Sequence, residues 1–306
     1  MSSFSTALSS QAFSNTPTPT PKQLLQTLFP FLKVAAAYAQ HIQPHIAARP
    51  AKEGYTSIFG SALSDADLSI QTMIEVALLG NFPSIRFYGE EHEQSYNTRY
   101  FRAITLGPQD DYLITLDPID GTRYYLDGHD NYQILLGILN RDEFAGAIAL
   151  TPSQNLFCYG LHGQGLWQGH LNEAFEDARP LQLSPPKPTI LLGLRMGYLR
   201  PALEAHYTVL DVDSSYAAEV KIPNVNGILT GDLAGVIIRS SQFIDGALLG
   251  FLAQEGGCQV STHTGATLPP LHECDRYSRP GLVMARSPEV HHHLLQALQT
   301  TPAPAA

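Results

Sequence analysis

Four apolar stretches follow one another with no long helical pattern between them. They are "YLITLD" (112–117), "NYQILLGIL" (131–139), "FAGAIAL" (144–150) and "LFCYGL" (156–161). Each has strand length, and "NRDE", "TPSQN" and "HGQG" supply turn signals between the later ones. Strands that succeed one another across such short turns pair antiparallel, because a parallel return needs a crossover of a dozen residues or more. This stretch therefore predicts an antiparallel meander rather than strands alternating with helices.

Helical patterns flank the meander. From Pro21 to Ile46, Leu24, Leu25, Leu28, Leu32, Ala35 and Ala36 recur at helical spacing, as one long helix or two broken near Pro30. In "SDADLSIQTMIEVALLGNFPS", Ile70, Ile74 and Leu78 mark a second helix. Ser64 is its expected N-cap, Asp67 stands where a capping-box acid would, and Gly80 and Pro83 end it. The short strand "IRFYG" runs straight into Glu90-Glu91.

Beyond "LSPPKP" (183–188) the pattern changes. "TILLGL", "AGVIIRS" and "GLVMARS" read as strands, and "IDGALLGFLAQEGG" as a helix stopped by Gly256-Gly257. "SPEVHHHLLQALQ" reads as a last helix with Ser287 as N-cap, its three histidines on a solvated face. The expected organisation is a polar tail over 1–20, an α+β domain over 21–183, an α/β domain over 184–300 and a loose end over 301–306.

Composition sets the class of partner. The 306-residue chain is 44% hydrophobic, enough for a real core, and carries a net charge of -10. That balance argues against a nucleic-acid or anionic-membrane surface as the main partner. It leaves an anionic small substrate open, since a bound cation reverses the local field. Three widely spaced cysteines form neither a disulfide framework nor a zinc signature. No apolar run approaches a membrane span, and "MSSFSTALSSQAFSNTPTPTPK" lacks the basic and apolar parts of a secretory signal. A cytoplasmic protein is expected.

Acids stand at the ends of apolar elements in four places: Asp67, Glu90-Glu91, Asp117 with Asp120, and Asp245. Singly, each reads as a helix cap or a solvated loop. If they converge, like charges ~4 Å apart repel by roughly 4 kcal/mol at an effective dielectric near 20. A cluster of that kind needs protons or divalent cations among its members. Hard oxygen donors without His or Cys favour Mg²⁺ or Mn²⁺. In "DPIDGT" the Pro118 turn lets both carboxylates and the Ile119 carbonyl face one side. Gly121 and Thr122 then offer backbone N–H groups to a phosphate. Carboxylates for metal beside amides for an anion suit metal-assisted hydrolysis of a phosphate ester.

"DPIDGT" after an apolar strand, "GEE" upstream and "IDGALLGFLAQEGG" near the end resemble, in order and spacing, three signatures of the inositol monophosphatase family, Mg²⁺-dependent and lithium-sensitive phosphatases. The resemblance covers roughly residues 20 to 300. It implies a layered α-β-α-β-α sandwich of the inositol monophosphatase and sugar phosphatase type, and a small phosphate-monoester substrate. It implies that Glu90, Asp117 and the Ile119 carbonyl hold one Mg²⁺ and that Asp117, Asp120 and Asp245 hold a second, with Glu90 reaching a third. Mn²⁺ is a possible substitute. Thr122, bonded to Asp67, would help a water lose its proton, and the amides of Gly121 and Thr122 would seat the phosphate, near Asp120 and Asp245. A homodimer is a family-level expectation.

The departures fall on the substrate side. Ile244 replaces the family's Trp, Tyr124-Tyr125 its Asn-Phe, and "IPNVNGIL" (222–229) its small-residue stretch; the acid that usually contacts inositol falls at Ile238. "DGTRYYLDG" is closer to the Arg-aromatic form of histidinol-phosphatase members. Arg123, Arg195 and Lys221 are candidate contacts for a second anionic group, or plain surface cations. Histidinol phosphate, a 3'-phosphonucleotide, a sugar phosphate, an inositol phosphate, or binding without turnover all remain as expectations. Retention of Asp67 and Thr122 favours turnover.

Overall fold

The computed structural model describes residues 18–48, 64–91, 106, 111–239 and 241–303. The expected N-terminal tail up to residue 17 and the last three residues lie outside the described residues.

The first helix, α1 (Pro21–Ile42), opens with a capping box between Thr20 and Gln23. It is one helix, with Pro30 inside it on the exposed side. A proline in a helix interior costs about 3 kcal/mol. Leu24, Leu25, Leu28, Leu32 and Ala35, all buried, lie on both sides of it. At about 1.5–3 kcal/mol for each large aliphatic side chain buried, their packing outweighs that cost. Helix α2 (Asp65–Asn81) follows, with Ser64 as N-cap.

Strand β1 (Arg86–Gly89) pairs parallel with β2 (Leu113–Asp120). After the one-turn helix α3 (Thr122–Leu126) the meander continues as β3 (Gln133–Leu139), β4 (Phe144–Thr151), β5 (Leu156–Leu161), β6 (Leu166–His170) and β7 (Arg179–Pro180). These seven strands form one sheet in sequence order, antiparallel from β2 onward.

A second sheet begins after residue 188. Its members are β8 (Thr189–Leu192), β9 (Thr208–Asp211), β10 (Gly235–Ile238), β12 (Gln259–Thr262) and β14 (Leu282–Ala285), ordered β12-β14-β10-β8-β9. Short helices α4 (Arg200–Leu203), α5 (Val212–Ser215) and α6 (Gly227–Thr230) lie between its strands, with α7 (Gly246–Glu255) and α8 (Pro288–Thr300) later. Strands β11 (Ser241–Gln242) and β13 (Ser278–Arg279) pair apart from it.

Strand alternation sorts the side chains into layers. On one face of the first sheet, Ile114, Leu116, Ile134, Leu136, Ile148 and Leu150 pack with the apolar stripes of α1 and α2. On the other, Leu113, Leu135, Ala147 and Ala149 meet Ala247, Leu248 and Leu252 of α7, which also touches Val236, Leu282 and Met284 of the second sheet. The far face of that sheet packs Ile190, Ile237 and Val283 against Leu294 and Ala297 of α8. The order is α-β-α-β-α, the expected sandwich.

The histidines of α8 do not share a solvated face. His292 is exposed, but His291 Nε2 meets Ser261 Oγ at 2.8 Å and His293 Nδ1 meets the Tyr207 hydroxyl at 2.7 Å. Successive helical residues turn by about 100°, so three in a row span too wide an arc to stay on one face.

Candidate active site

The layers decide where the acids fall. Asp117 shares the parity of Leu113, so it points toward the layer of α7. A bulge between Asp117 and Asp120 then re-aims the strand end. Glu90 follows β1, whose Gly89 pairs with Leu116, and Glu90 N–H donates to the Leu116 carbonyl at 3.1 Å. Asp245 is the N-cap of α7. Asp67 sits in the first turn of α2, on the opposite face of the sheet. The site thus straddles the end of β1 and β2, with a helix start on either side.

Asp67 is fully buried and serves both ends of its role at once. Its Oδ2 accepts from Ser64 N at 2.9 Å and Ser64 Oγ at 2.5 Å. Its Oδ1 accepts from Thr122 Oγ1 at 3.2 Å. The capping reading and the catalytic reading of Asp67 are therefore compatible. Thr122 Oγ1 also lies 3.0 Å from the Ile119 carbonyl, so its single proton has two acceptors.

Gly121 is the N-cap of α3, with φ of +86°. A Cβ there would come within 2.9 Å of Tyr124 Cδ2, so both conformation and space require glycine. The turn is closed further by Ile119 N–H donating to Asp117 Oδ1 at 3.1 Å.

The carboxylates act on one another. Burial lifts the Asp117 carboxyl well above its usual range, and the charges of Glu90, Asp120 and Asp245 lift it further, as does a hydrogen bond to Glu90. Burial pushes Asp120 up to about 6, with Glu90 adding to the rise. Burial, then the charge of Asp120, push Asp245 up to about 8. Amide donors oppose these shifts. Asn224 Nδ2 and Gln133 Nε2 both donate to Asp120 Oδ2, at 3.0 and 3.3 Å. Gly246 N–H donates to Asp245 Oδ1.

Among the described residues, no three His, Cys, Asp or Glu side chains stand in an arrangement that would hold one ion. Glu90, Asp117, Asp120 and Asp245 are neighbours in charge, but Asp117, Asp120 and Asp245 each give an oxygen to an amide. In kind they suit a hard divalent cation: an all-oxygen donor set whose mutual repulsion a cation would relieve. Ligation requires the carboxylates to turn toward a common point.

Three residues that sequence reasoning passed over belong here. Gln71 lies one helical turn after Asp67, and its Oε1 accepts from Glu91 N at 2.8 Å, fixing the "GEE" backbone. Its carboxamide fills the space beside Gly89, where a Cβ would clash at 2.4 Å. The i, i+4 spacing from Asp67 was the available signal. Asn224 and Gln133 come from distant elements and carried none. Of the three candidate cations, Arg123 forks onto Asp127 at 2.8 and 2.7 Å, and Lys221 pairs with Asp130 at 2.7 Å. The backbone N–H of Arg195 donates to Asp213 Oδ2 at 2.5 Å. Ile238, where the family acid would fall, is buried.

A model of the inositol monophosphatase family matches residues 25–199, more than half of the chain. The chain belongs to the inositol monophosphatase family. Solved structures share the fold. The IMPase of Thermotoga maritima superposes with a TM-score of 0.67 at 15% identity, covering 90% of this chain and 96% of its own. Staphylococcal IMPase-I, complexed with products, gives 0.67 at 14%, covering 94% and 100%. An IMPase/NADP phosphatase complexed with Mg²⁺ and phosphate gives 0.67 at 14%, covering 92% and 97%. At these identities the likeness speaks for the fold. No curated protein matches the chain. Membership of the inositol monophosphatase family supports a phosphatase in general. Among the described residues, no helix is long and apolar enough to cross a membrane.

Proposed function

We propose that this inositol monophosphatase family member is a Mg²⁺-dependent phosphomonoesterase acting on a small phosphorylated metabolite. The observation that carries the reading is the Thr122–Asp67 hydrogen bond, together with Asp117 and the acids whose charges raise its pKa. Capping occupies only one oxygen of Asp67; the other stands as a proton acceptor behind the Thr122 hydroxyl, as activation of a water requires.

Glu90, Asp117, the Ile119 carbonyl, Asp120 and Asp245 are the residues that would hold Mg²⁺, or Mn²⁺ in its stead. When bound, a divalent cation supplies a Lewis acid that polarises the ester and makes water more acidic. The protein's own groups do the rest. Asp67, fixed by Ser64, draws the Thr122 proton toward itself. That leaves the Thr122 oxygen to accept a proton from an attacking water. The positive φ of Gly121 and its close approach to the Tyr124 ring hold the turn that would offer the amides of Gly121 and Thr122 to an incoming phosphate. Asn224 and Gln133 fix the rotamer of Asp120.

A broad panel of phosphate monoesters with and without Mg²⁺ tests the reading. Phosphate release that needs Mg²⁺ and disappears in Asp120→Asn is expected. No release above the Asp120→Asn background on any ester would defeat it.

A further inference from the structure

At the end of the first sheet away from Asp120, the β3–β4 turn and the chain before β13 enclose a cavity. Asp120 pairs with Gln133 at the start of β3, and Leu139 at its other end pairs with Phe144. That strand is seven residues long, which at about 3.4 Å per residue puts the turn roughly 20 Å from Asp120. The turn is fixed by Asn140, whose Oδ1 accepts from the N–H groups of Asp142 and Glu143, each at 2.8 Å. It is tied by its backbone to the chain that follows β12. Leu271 N–H donates to the Asp142 carbonyl at 2.8 Å, and His272 N–H to the Arg141 carbonyl at 3.1 Å. Turn, loop and helix α7 together bound a space of about 350 Å³, within the range of about 300–1,000 Å³ usual for small-molecule sites. Its described lining residues include none of the acids of the candidate active site.

The lining combines an apolar wall with one buried cation. Phe144 and Phe251 stack with ring centroids 5.5 Å apart, and Ala247, Val260 and Leu268 extend that wall. Arg279 of β13 lines the same space and is only 8% exposed. Its guanidinium carries several N–H groups. Among the described residues, the one acceptor it meets is the Pro269 carbonyl. A guanidinium buried without a carboxylate partner is costly. Burial draws the Arg279 pKa below its ordinary value, and the charges of Cys274 and Glu143 oppose the fall.

Three carboxylates also line the cavity, and two of them are already used. Glu255 accepts from Gly163 N–H at 3.0 Å and from Gly165 N–H at 2.9 Å, one on each oxygen. Asp142 Oδ1 lies 3.0 Å from His272 Nδ1. Glu143 has one oxygen 3.4 Å from His162 Nε2, at the half-exposed rim. Among the described residues, neither Lys nor Arg forms an ion pair with it, although its charge is felt at Arg279. Glu143 and Arg279 thus line one cavity as opposite charges that do not pair with each other.

This pattern selects among ligands. A phosphate or another dianion would meet three carboxylates against one guanidinium. An amine with no anionic group would leave Arg279 without a counter-charge. An α-amino acid carries a carboxylate and an ammonium on one carbon. It can place the first on the Arg279 fork and the second toward Glu143. Its side chain then lies along Phe144, Phe251 and Leu268, which calls for an apolar one. We infer that this cavity binds a free α-amino acid with an apolar side chain, held between Arg279 and Glu143.

Calorimetry on the full chain, with leucine, methionine and phenylalanine as probes, tests the site. At least one of them is expected to bind with a Kd below about 1 mM. Its decarboxylated amine and its deaminated acid each lack one charge, and each is expected to bind at least about tenfold more weakly. Glu143→Gln alters a side chain on the half-exposed rim and should leave the fold intact. It is expected to weaken the amino acid by about tenfold without weakening the deaminated acid. Arg279→Lys, with folding checked by its melting temperature, is expected to weaken both. If that variant does not fold, the analogues and Glu143→Gln decide. No binding of any of the three amino acids at about 10 mM would overturn the inference. So would an amine or acid that binds as tightly as its parent amino acid, or binding unchanged in Glu143→Gln. Calorimetry needs no turnover, so its outcome is independent of the phosphatase reading.

Discussion

Thr122 Oγ1 donates to Asp67 Oδ1 at 3.2 Å, joining residues 55 apart in sequence from opposite edges of one layer boundary. The bond links the first turn of α2 to the start of α3 and places a hydroxyl with an acceptor behind it at the strand end. Replacing Thr122 by Val keeps the shape and removes the hydroxyl. Turnover should fall by about 10²–10⁴, the range associated with losing a positioned proton acceptor. Thr122→Ser should retain most of it. Steady-state phosphate release for the two variants distinguishes a chemical role from a packing role, since Val preserves the packing.

Ser64 holds the other oxygen of Asp67 through both its backbone and its side chain. Ser64→Ala removes an N-cap and one of the partners of a buried carboxylate. The expected loss is about 1–3 kcal/mol of stability, read from urea unfolding. A further loss of turnover should accompany it, because that oxygen of Asp67 then keeps only the backbone N–H of residue 64 and is held less firmly. Unchanged stability would mean that the cap is carried elsewhere.

The raised acids make stability depend on pH in a definite direction. Asp120 is pushed up to about 6 and Asp245 to about 8, from 3.8. In the cation-free protein the folded state holds protons that the unfolded chain has released. Stability is therefore fully present below about pH 4 and is lost as pH rises toward about 8. A tenfold change in proton affinity corresponds to about 1.4 kcal/mol, so the loss should reach a few kcal/mol. Melting temperatures of chelator-treated protein across this range should fall. Mg²⁺ added at pH 8 should reverse the fall. A flat profile without Mg²⁺ would contradict the burial of these carboxylates.

Lithium provides a further check on the proposed activity. On the resemblance of "GEE", "DPIDGT" and "IDGALLGFLAQEGG" to the inositol monophosphatase signatures, millimolar lithium should inhibit Mg²⁺-dependent phosphate release. A lithium titration at fixed Mg²⁺ that leaves turnover unchanged would count against it.

The meander was legible because strands of this kind advertise themselves locally. "NYQILLGIL" and "FAGAIAL" need only their own period and the turn between them, and they pair as β3 and β4. The cap at Ser64 was legible for the same reason, since N-cap and N3 are fixed by three residues of chain. Pro30 was not decided by its neighbours. One helix or two depends on what lies against the stripe on either side, and that is a property of the sheet beneath it.

The sequence by itself determined which chemistry the chain owns: "GEE", "DPIDGT", Asp67 and Asp245, each at the end of an element whose period can be read. Tertiary structure decided what those acids meet. Strand parity turned Asp117 toward α7, while Thr122 reached Asp67 on the face of α2. The fold also delivered Gln71, Gln133 and Asn224, amides with no motif of their own, to backbone and carboxylate partners as far as 104 residues away. Local sequence encodes period, caps and turns because those are satisfied within a few residues. Which side chain satisfies a buried acid depends on layers packed from distant parts of the chain, and only the folded protein sets that.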